Sequence, residues 1–273
     1  MNLPKFKRIG IISGGGLLPQ IIINSALKQN TEPYVLGIEG SIDYTPECNH
    51  LIANIGKVGK AFKFFKDNEI TNICFAGKIN RPAISQVKVD ATGLKFLGKV
   101  GLNKLSGGDN HLLTQILKLF ESNGFNVISP EKFAPEILAK KGVLTKTKPS
   151  KQDLADIESG SIILGDLSKH DIGQSIIIAN KYVIGIEAAE GTDELIKRIN
   201  AYKKEKNYGV LVKRPKSNQD TRIDLPTIGV ETVQHAIDSN LNGIAIAANK
   251  TIIIDKDKVL AEANGNKIFI VGI

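Results

Sequence analysis

A chain of 273 residues that is 42% hydrophobic and 23% charged can bury a full core, in one large α/β domain or in two, and is not a mainly disordered chain. Two cysteines, Cys48 and Cys74, with no CxxC and no Cys/His cluster, argue against a disulfide framework or structural zinc and point to a reducing, cytoplasmic compartment. The net charge of +8 names no partner by itself, because only five of the 36 basic residues are arginine (Arg8, Arg81, Arg198, Arg214, Arg222) in a chain rich in Lys, Asn and Ile.

The opening MNLPKFKRIGII has no long apolar core or small-residue cleavage site, and no later run approaches about 18 apolar residues. The chain therefore reads as neither exported nor membrane-spanning. Lys7 to Ser13 predicts a strand, Leu17 to Gln29 a helix, Tyr34 to Ile38 a strand, Leu51 to Ile55 a short strand and Val58 to Asn68 a helix. Asn72 to Ala76 predicts another strand, Asn110 to Asn123 a helix, and Val127 to Ser129 the end of the series. This βαβ rhythm implies a largely parallel, Rossmann-like sheet. The pattern loosens over EKFAPEILAKKGVLTKTKPSKQ, so the expected division is an N-terminal α/β domain over 1–132, a linker over 133–150 and a C-terminal mixed α/β domain over 151–273. In that second domain the pattern predicts helices from Lys151, over Asp193 to Lys204, over Glu231 to Asn240 and near Val259. Strands are expected at Gln174 to Ile178, Tyr182 to Glu187, Gly209 to Val212, Ile244 to Ala247, Thr251 to Ile254 and Lys267 to Val271.

Ser13-Gly14-Gly15-Gly16 joins a strand to a helix, where backbone N–H groups can converge on a phosphate or merely form a tight turn. The run fails the dinucleotide fingerprint, since Pro19 stands where the third glycine belongs, although Glu39 ends the second strand in the ribose-contacting place. Lys78 and Arg81 follow a strand at its carboxyl end, the ligand edge of an open α/β sheet. Asp109 reads first as a helix N-cap and second as a functional carboxylate, and Thr192 or Asp193 likewise reads as a cap. Glu187 and Glu190, just past an apolar strand, are within reach of a site. The four histidines lack HxH or HExxH spacing, and neither a GxSxG elbow nor a Cys/His pair is present. No helix-turn-helix, RNP or basic-aromatic pattern supports nucleic acid as a partner.

The stretch KRPKSNQDTRIDLPTIG, residues 213–229, concentrates opposed charge between Pro215 and Pro226. If it is extended, Asp220, Arg222 and Asp224 share one face, where two carboxylates can hold Mg²⁺ and steer a water while Arg222 clamps a phosphate, with Lys213, Arg214 and Lys216 adding positive potential. The alternative is an internally salt-bridged loop.

Taken in order, GIISGGGLLP, FAGKINRP, GGDNHLL, AAEGTD, VLVKRPKSNQDTRIDLPTIG and the terminal IFIVGI resemble the LpxI family of UDP-2,3-diacylglucosamine pyrophosphatases. The resemblance implies a cytoplasmic enzyme of lipid A biosynthesis, peripheral at the cytosolic face of the inner membrane, that hydrolyses UDP-2,3-diacylglucosamine to 2,3-diacylglucosamine 1-phosphate and UMP by attack on the β-phosphorus. It further implies Mg²⁺, a homodimer, and two α/β domains with the lipid between them. Carried onto this chain, the catalytic element is Asp220, Arg222 and Asp224, with either aspartate a candidate for the essential one and both for the metal. The implied substrate contacts are Gly14, Gly15, Gly16, Lys78, Arg81, Asp109, Thr192, Lys213 and Thr227. The competing expectation is a non-catalytic nucleotide- or dinucleotide-binding module built on the first βαβ units.

Overall fold

The computed structural model describes residues 6–79, 87–100, 109–200, 208–217 and 220–273, leaving aside the side chains of 99, 100 and 109–112. It forms two compact units, Met1–Pro135 and Glu136–Ile273.

The first unit is built on five parallel strands: β1 (Arg8–Ser13), β2 (Glu32–Ile38), β3 (Asn49–Ala53), β4 (Asn72–Ala76) and β5 (Asn126–Val127), in the order β3-β2-β1-β4-β5. Helices α1 (Leu18–Lys28), α2 (Val58–Asp67), α3 (Ala91–Val100) and α4 (Asp109–Ser122) connect and cover them. Near-continuous apolar runs such as Gly10-Ile11-Ile12 are what a strand buried on both faces requires. One face is closed by Phe62, Phe65, Phe75, Phe120 and Phe125, whose ring centroids lie 5.1–5.9 Å apart in the contacting pairs. Gly10 lets that layer approach, since a Cβ there would stand 2.8 Å from the Phe65 ring. The order reverses between β1 and β4, the switch point at which ligands of such sheets bind.

The second unit carries a six-stranded mixed sheet in the order β6-β13-β11-β9-β7-β8. Its strands are β6 (Gly142–Val143), β7 (Ser175–Ala179), β8 (Tyr182–Ile186), β9 (Val210–Lys213), β11 (Gly243–Ile246) and β13 (Phe269–Gly272). β9, β11 and β13 are parallel, whereas β6, β7 and β8 are antiparallel to their neighbours. β10 (Thr227–Ile228) and β12 (Ile252–Ile253) form a separate parallel pair. Strand alternation sorts the core into two layers. Ile177, Leu211, Ile244 and Ile270 face α6 (Thr192–Ile199), α7 (Val230–Asp238) and α8 (Lys256–Gly265), while Ile176, Val210, Val212 and Phe269 face α5 (Lys151–Leu167). A capping box starts α5, in which Ser150 Oγ accepts from the Asp153 amide and Asp153 accepts from the Ser150 amide.

Residues 133–150 are ordered on both sides of the division between the units: Phe133 is buried in the first, and Leu144 donates its amide to Ile270 in the second. The predicted helix from Asp193 to Lys204 is seen to Ile199, capped by Asn200, with residues 201–204 outside the described residues. Among the described residues no helix is long and apolar enough to cross a membrane.

Candidate active site

In the first unit the glycine turn lies at the switch point, but its N–H groups already have protein acceptors. Gly14 donates to Ala76 O at 2.9 Å, Gly15 to Lys78 O at 2.9 Å, and Gly16 to both oxygens of Asp43 at 3.0 and 3.1 Å. The glycines serve close approach: a Cβ on Gly14 would stand 2.2 Å from Lys78 O and one on Gly15 2.6 Å from Ser41 O. Asp43, which the sequence reading passed over, sets its carboxylate against the amide just before α1, where a phosphate would be expected. Lys78 keeps an exposed side chain beside this turn, while its backbone bridges to Gly15. Arg81 lies outside the described residues, as does the Asp109 side chain at the start of α4.

The second unit assembles its polar groups by strand register. Ser175 is opposite Lys213 across β7 and β9, and the Glu187 amide, one residue beyond β8, donates to Ser175 O at 2.9 Å. Directly opposed residues of antiparallel strands share a face, so Lys213 and Ser175 stand together where the parallel strands end. All three residues are buried: Ser175 is 0% exposed, Lys213 4% and Glu187 6%. The first residue of α6, Thr192, completes the cluster. Lys213 Nζ donates to Thr192 Oγ1 at 2.6 Å, Thr192 Oγ1 donates to Glu187 Oε2 at 2.9 Å, and Ser175 Oγ lies 3.0 Å from Thr192 Oγ1. This corrects the reading of Thr192 or Asp193 as a cap. Gly191 holds the N-cap position without a side-chain bond, and Asp193 accepts from Thr232 Oγ1 at 3.1 Å. Glu190 pairs instead with Arg198 at 3.0 Å.

Burial pushes the Lys213 pKa down, and the charges of Glu187, Asp193 and Asp224 work against that fall. An ammonium has three donors, and Lys213 has one hydrogen bond and no contact ion pair among the described residues. Burying a cation so sparsely bonded is costly unless an anion arrives.

The segment 220–224 is a turn, which corrects the expectation that alternation on an extended strand would align Asp220, Arg222 and Asp224. The amides of Ile223 and Asp224 donate to Asp220 O at 3.2 and 3.3 Å. The two aspartates are thereby given different surroundings. Asp220 grips Arg222 in a fork, with Nη2 to Oδ2 at 2.7 Å and Nε to Oδ1 at 3.0 Å, and Arg222 holds its carboxyl below the usual carboxylate range. Asp224 is the member of the pair whose charge is felt at Lys213. Thr227 begins β10 with its hydroxyl donated to Leu225 O at 3.0 Å. Arg214 and Lys216, expected to add positive potential, are bound to Ser161 O at 2.9 Å and to Asp171 Oδ1 at 2.7 Å.

Among the described residues no three His, Cys, Asp or Glu side chains are arranged to hold a metal alone. Mg²⁺ needs less than that, since it commonly keeps waters and binds through one or two carboxylates plus substrate phosphate oxygens. Asp220 and Asp224, the two carboxylates of the turn, are side chains of the type such a shared site uses.

Family models of the LpxI N-terminal domain and the LpxI C-terminal domain match residues 8–137 and 140–271. The chain is also 32% identical, over 98% of its own length and 98% of the relative's, to the UDP-2,3-diacylglucosamine pyrophosphatase LpxI of Caulobacter vibrioides. Two domain matches in sequence order and a full-length relative make this chain a member of the LpxI family.

Proposed function

We propose that this protein hydrolyses the pyrophosphate bond of UDP-2,3-diacylglucosamine in lipid A biosynthesis, in an Mg²⁺-dependent reaction releasing UMP and 2,3-diacylglucosamine 1-phosphate. Support comes from its family membership and the activity named for the Caulobacter relative. The observation that carries the reading is the buried Lys213 ammonium with two donors to offer, near the Asp220–Arg222–Asp224 turn. Lys213 and Arg222 bind phosphoryl oxygens, and Asp220 holds the Arg222 fork in plane. Asp224 orients the attacking water, and Asp224 and Asp220 are the carboxylates that would hold Mg²⁺. When bound, the metal would supply charge neutralisation on the phosphoryl oxygens. The water oxygen bonds to the β-phosphorus, the bond from that phosphorus to the bridging oxygen breaks, and UMP leaves with the bridging oxygen. No covalent intermediate with the protein is needed.

From the first unit, Lys78, Arg81, Asp109 and the turn Gly14-Gly15-Gly16 are the proposed further substrate contacts, and a phosphate at Gly16 exchanges with the Asp43 carboxylate. Thr192 acts beneath Lys213, and Thr227 borders the catalytic turn. Work on a diacylated substrate suits a homodimer peripheral to the cytosolic face of an anionic membrane, to which an excess of lysine is drawn. The strand order β3-β2-β1-β4-β5 also favours a second reading, a nucleotide-binding module. Incubation with UDP-2,3-diacylglucosamine and Mg²⁺ decides: UMP release supports hydrolysis, whereas nucleotide binding without UMP release favours the module.

A further inference from the structure

Beneath the proposed phosphate-binding lysine lies a buried carboxylate to which no step has been given. We infer that Glu187 is a positioning residue of the hydrolytic site: through the Thr192 hydroxyl it fixes the direction in which Lys213 presents its remaining N–H donors. The inference deepens the hydrolase reading above and rests on it.

Hydrogen counting carries the argument. A threonine hydroxyl has one proton and two lone pairs. Three polar atoms surround Thr192 Oγ1: Lys213 Nζ at 2.6 Å, Glu187 Oε2 at 2.9 Å and Ser175 Oγ at 3.0 Å. An ammonium only donates and a carboxylate only accepts, so the Thr192 proton goes to Glu187, Lys213 takes one lone pair, and Ser175 donates to the other. The hydroxyl has one orientation, which Glu187 dictates. Without the carboxylate, the proton turns toward Ser175 and the acceptor direction offered to Lys213 is lost.

Glu187 is itself held in place. Its amide is bonded to Ser175 O at 2.9 Å, and Gly173, at φ +49°, packs so closely that a Cβ there would meet Glu187 O at 2.2 Å. The carboxylate also helps Lys213 stay charged against burial, together with Asp193 on α6 and Asp224 on the 220–224 turn.

The test is a double-mutant cycle on the full chain, read as UMP release from UDP-2,3-diacylglucosamine, with folding checked by thermal melting. Glu187→Met, which keeps the side-chain length but offers the Thr192 hydroxyl no oxygen acceptor, is expected to lower turnover about 10- to 100-fold, the loss of one charge-assisted hydrogen bond. In a Lys213→Met background the same change is expected to add less than about twofold, because coupled residues are not additive. Thr192→Val should match Glu187→Met, and Thr192→Ser should recover most of what Thr192→Val loses. Should Glu187→Met fail to fold, the Thr192→Val and Lys213→Met pair carries the same cycle. Independent, multiplicative losses, or full turnover by Thr192→Val, overturn the inference while leaving the hydrolase reading intact. A wild-type protein that releases no UMP overturns that reading, and the inference with it.

Discussion

The two aspartates of the 220–224 turn should separate cleanly when each is changed to asparagine. Asp220 binds Arg222 through a fork whose side chains are 28% and 39% exposed, and exposed pairs of this kind contribute about 0.2–1 kcal/mol. Asparagine keeps one oxygen for Arg222 and for the proposed metal, so Asp220→Asn should cost about 1 kcal/mol at most, a fall in melting temperature of about 2–4 °C, and about tenfold or less in kcat/KM. Asp224 sets its charge near Lys213 and is proposed to orient water and bind the metal. Removing one preorganised electrostatic group of this sort typically lowers kcat about 10²- to 10³-fold, so Asp224→Asn should lose at least that much with little change in melting temperature. UMP release at saturating substrate and Mg²⁺, followed by chromatography beside a thermal melt, measures both. A larger loss of turnover in Asp220→Asn than in Asp224→Asn would refute the assignment.

Because the Asp220 pKa is depressed in the folded protein, its pairing stabilises the fold above the ordinary aspartate pKa of about 3.9 and is lost as pH falls through the lower folded value. Wild type and Asp220→Asn should therefore converge in stability in strong acid and diverge above about pH 4. Chelation with EDTA should abolish UMP release, and added Mg²⁺ should restore it; unchanged turnover in EDTA rules out the metal. Gly14→Ala places a Cβ 2.2 Å from Lys78 O and should destabilise by about 1–3 kcal/mol, read as a lower denaturant midpoint at constant slope. Gly265→Ala, with nothing within 4 Å and at the end of α8, should instead raise stability by up to about 1 kcal/mol. Asp156→Ala removes the acceptor of the Asn180 and Lys181 amides, which bond it at 2.9 and 2.6 Å, and should cost about 1–3 kcal/mol and speed hydrogen exchange at those amides.

Legibility differed by element. Apolar runs and turn residues gave the parallel sheet of the first unit and most strands of the second, because strands buried on both faces announce themselves by composition alone. Helix α3 was not anticipated: Gly93 and Gly98 interrupt ATGLKFLGKV and dilute its periodic signal. Strands β6 and β10 are two residues each, too short for any period to register. The local pattern GTD suggested a cap, yet Thr192 faces Lys213, a partner twenty-one positions away that no local rule can find. Asp43 was passed over for the same reason, since its partner Gly16 is twenty-seven positions away.

The sequence by itself determined the α/β class, the family, and the short list of cations and carboxylates that matter, because these depend on residue type and order. The tertiary structure alone decided how those groups divide the work. Antiparallel register puts Ser175 opposite Lys213 and brings Glu187 to Ser175, while a turn in place of an extended strand gives Asp220 to Arg222 and leaves Asp224 to act at Lys213. Which atoms meet is a property of strand pairing and chain reversal over long sequence separations, and neither is written in local composition.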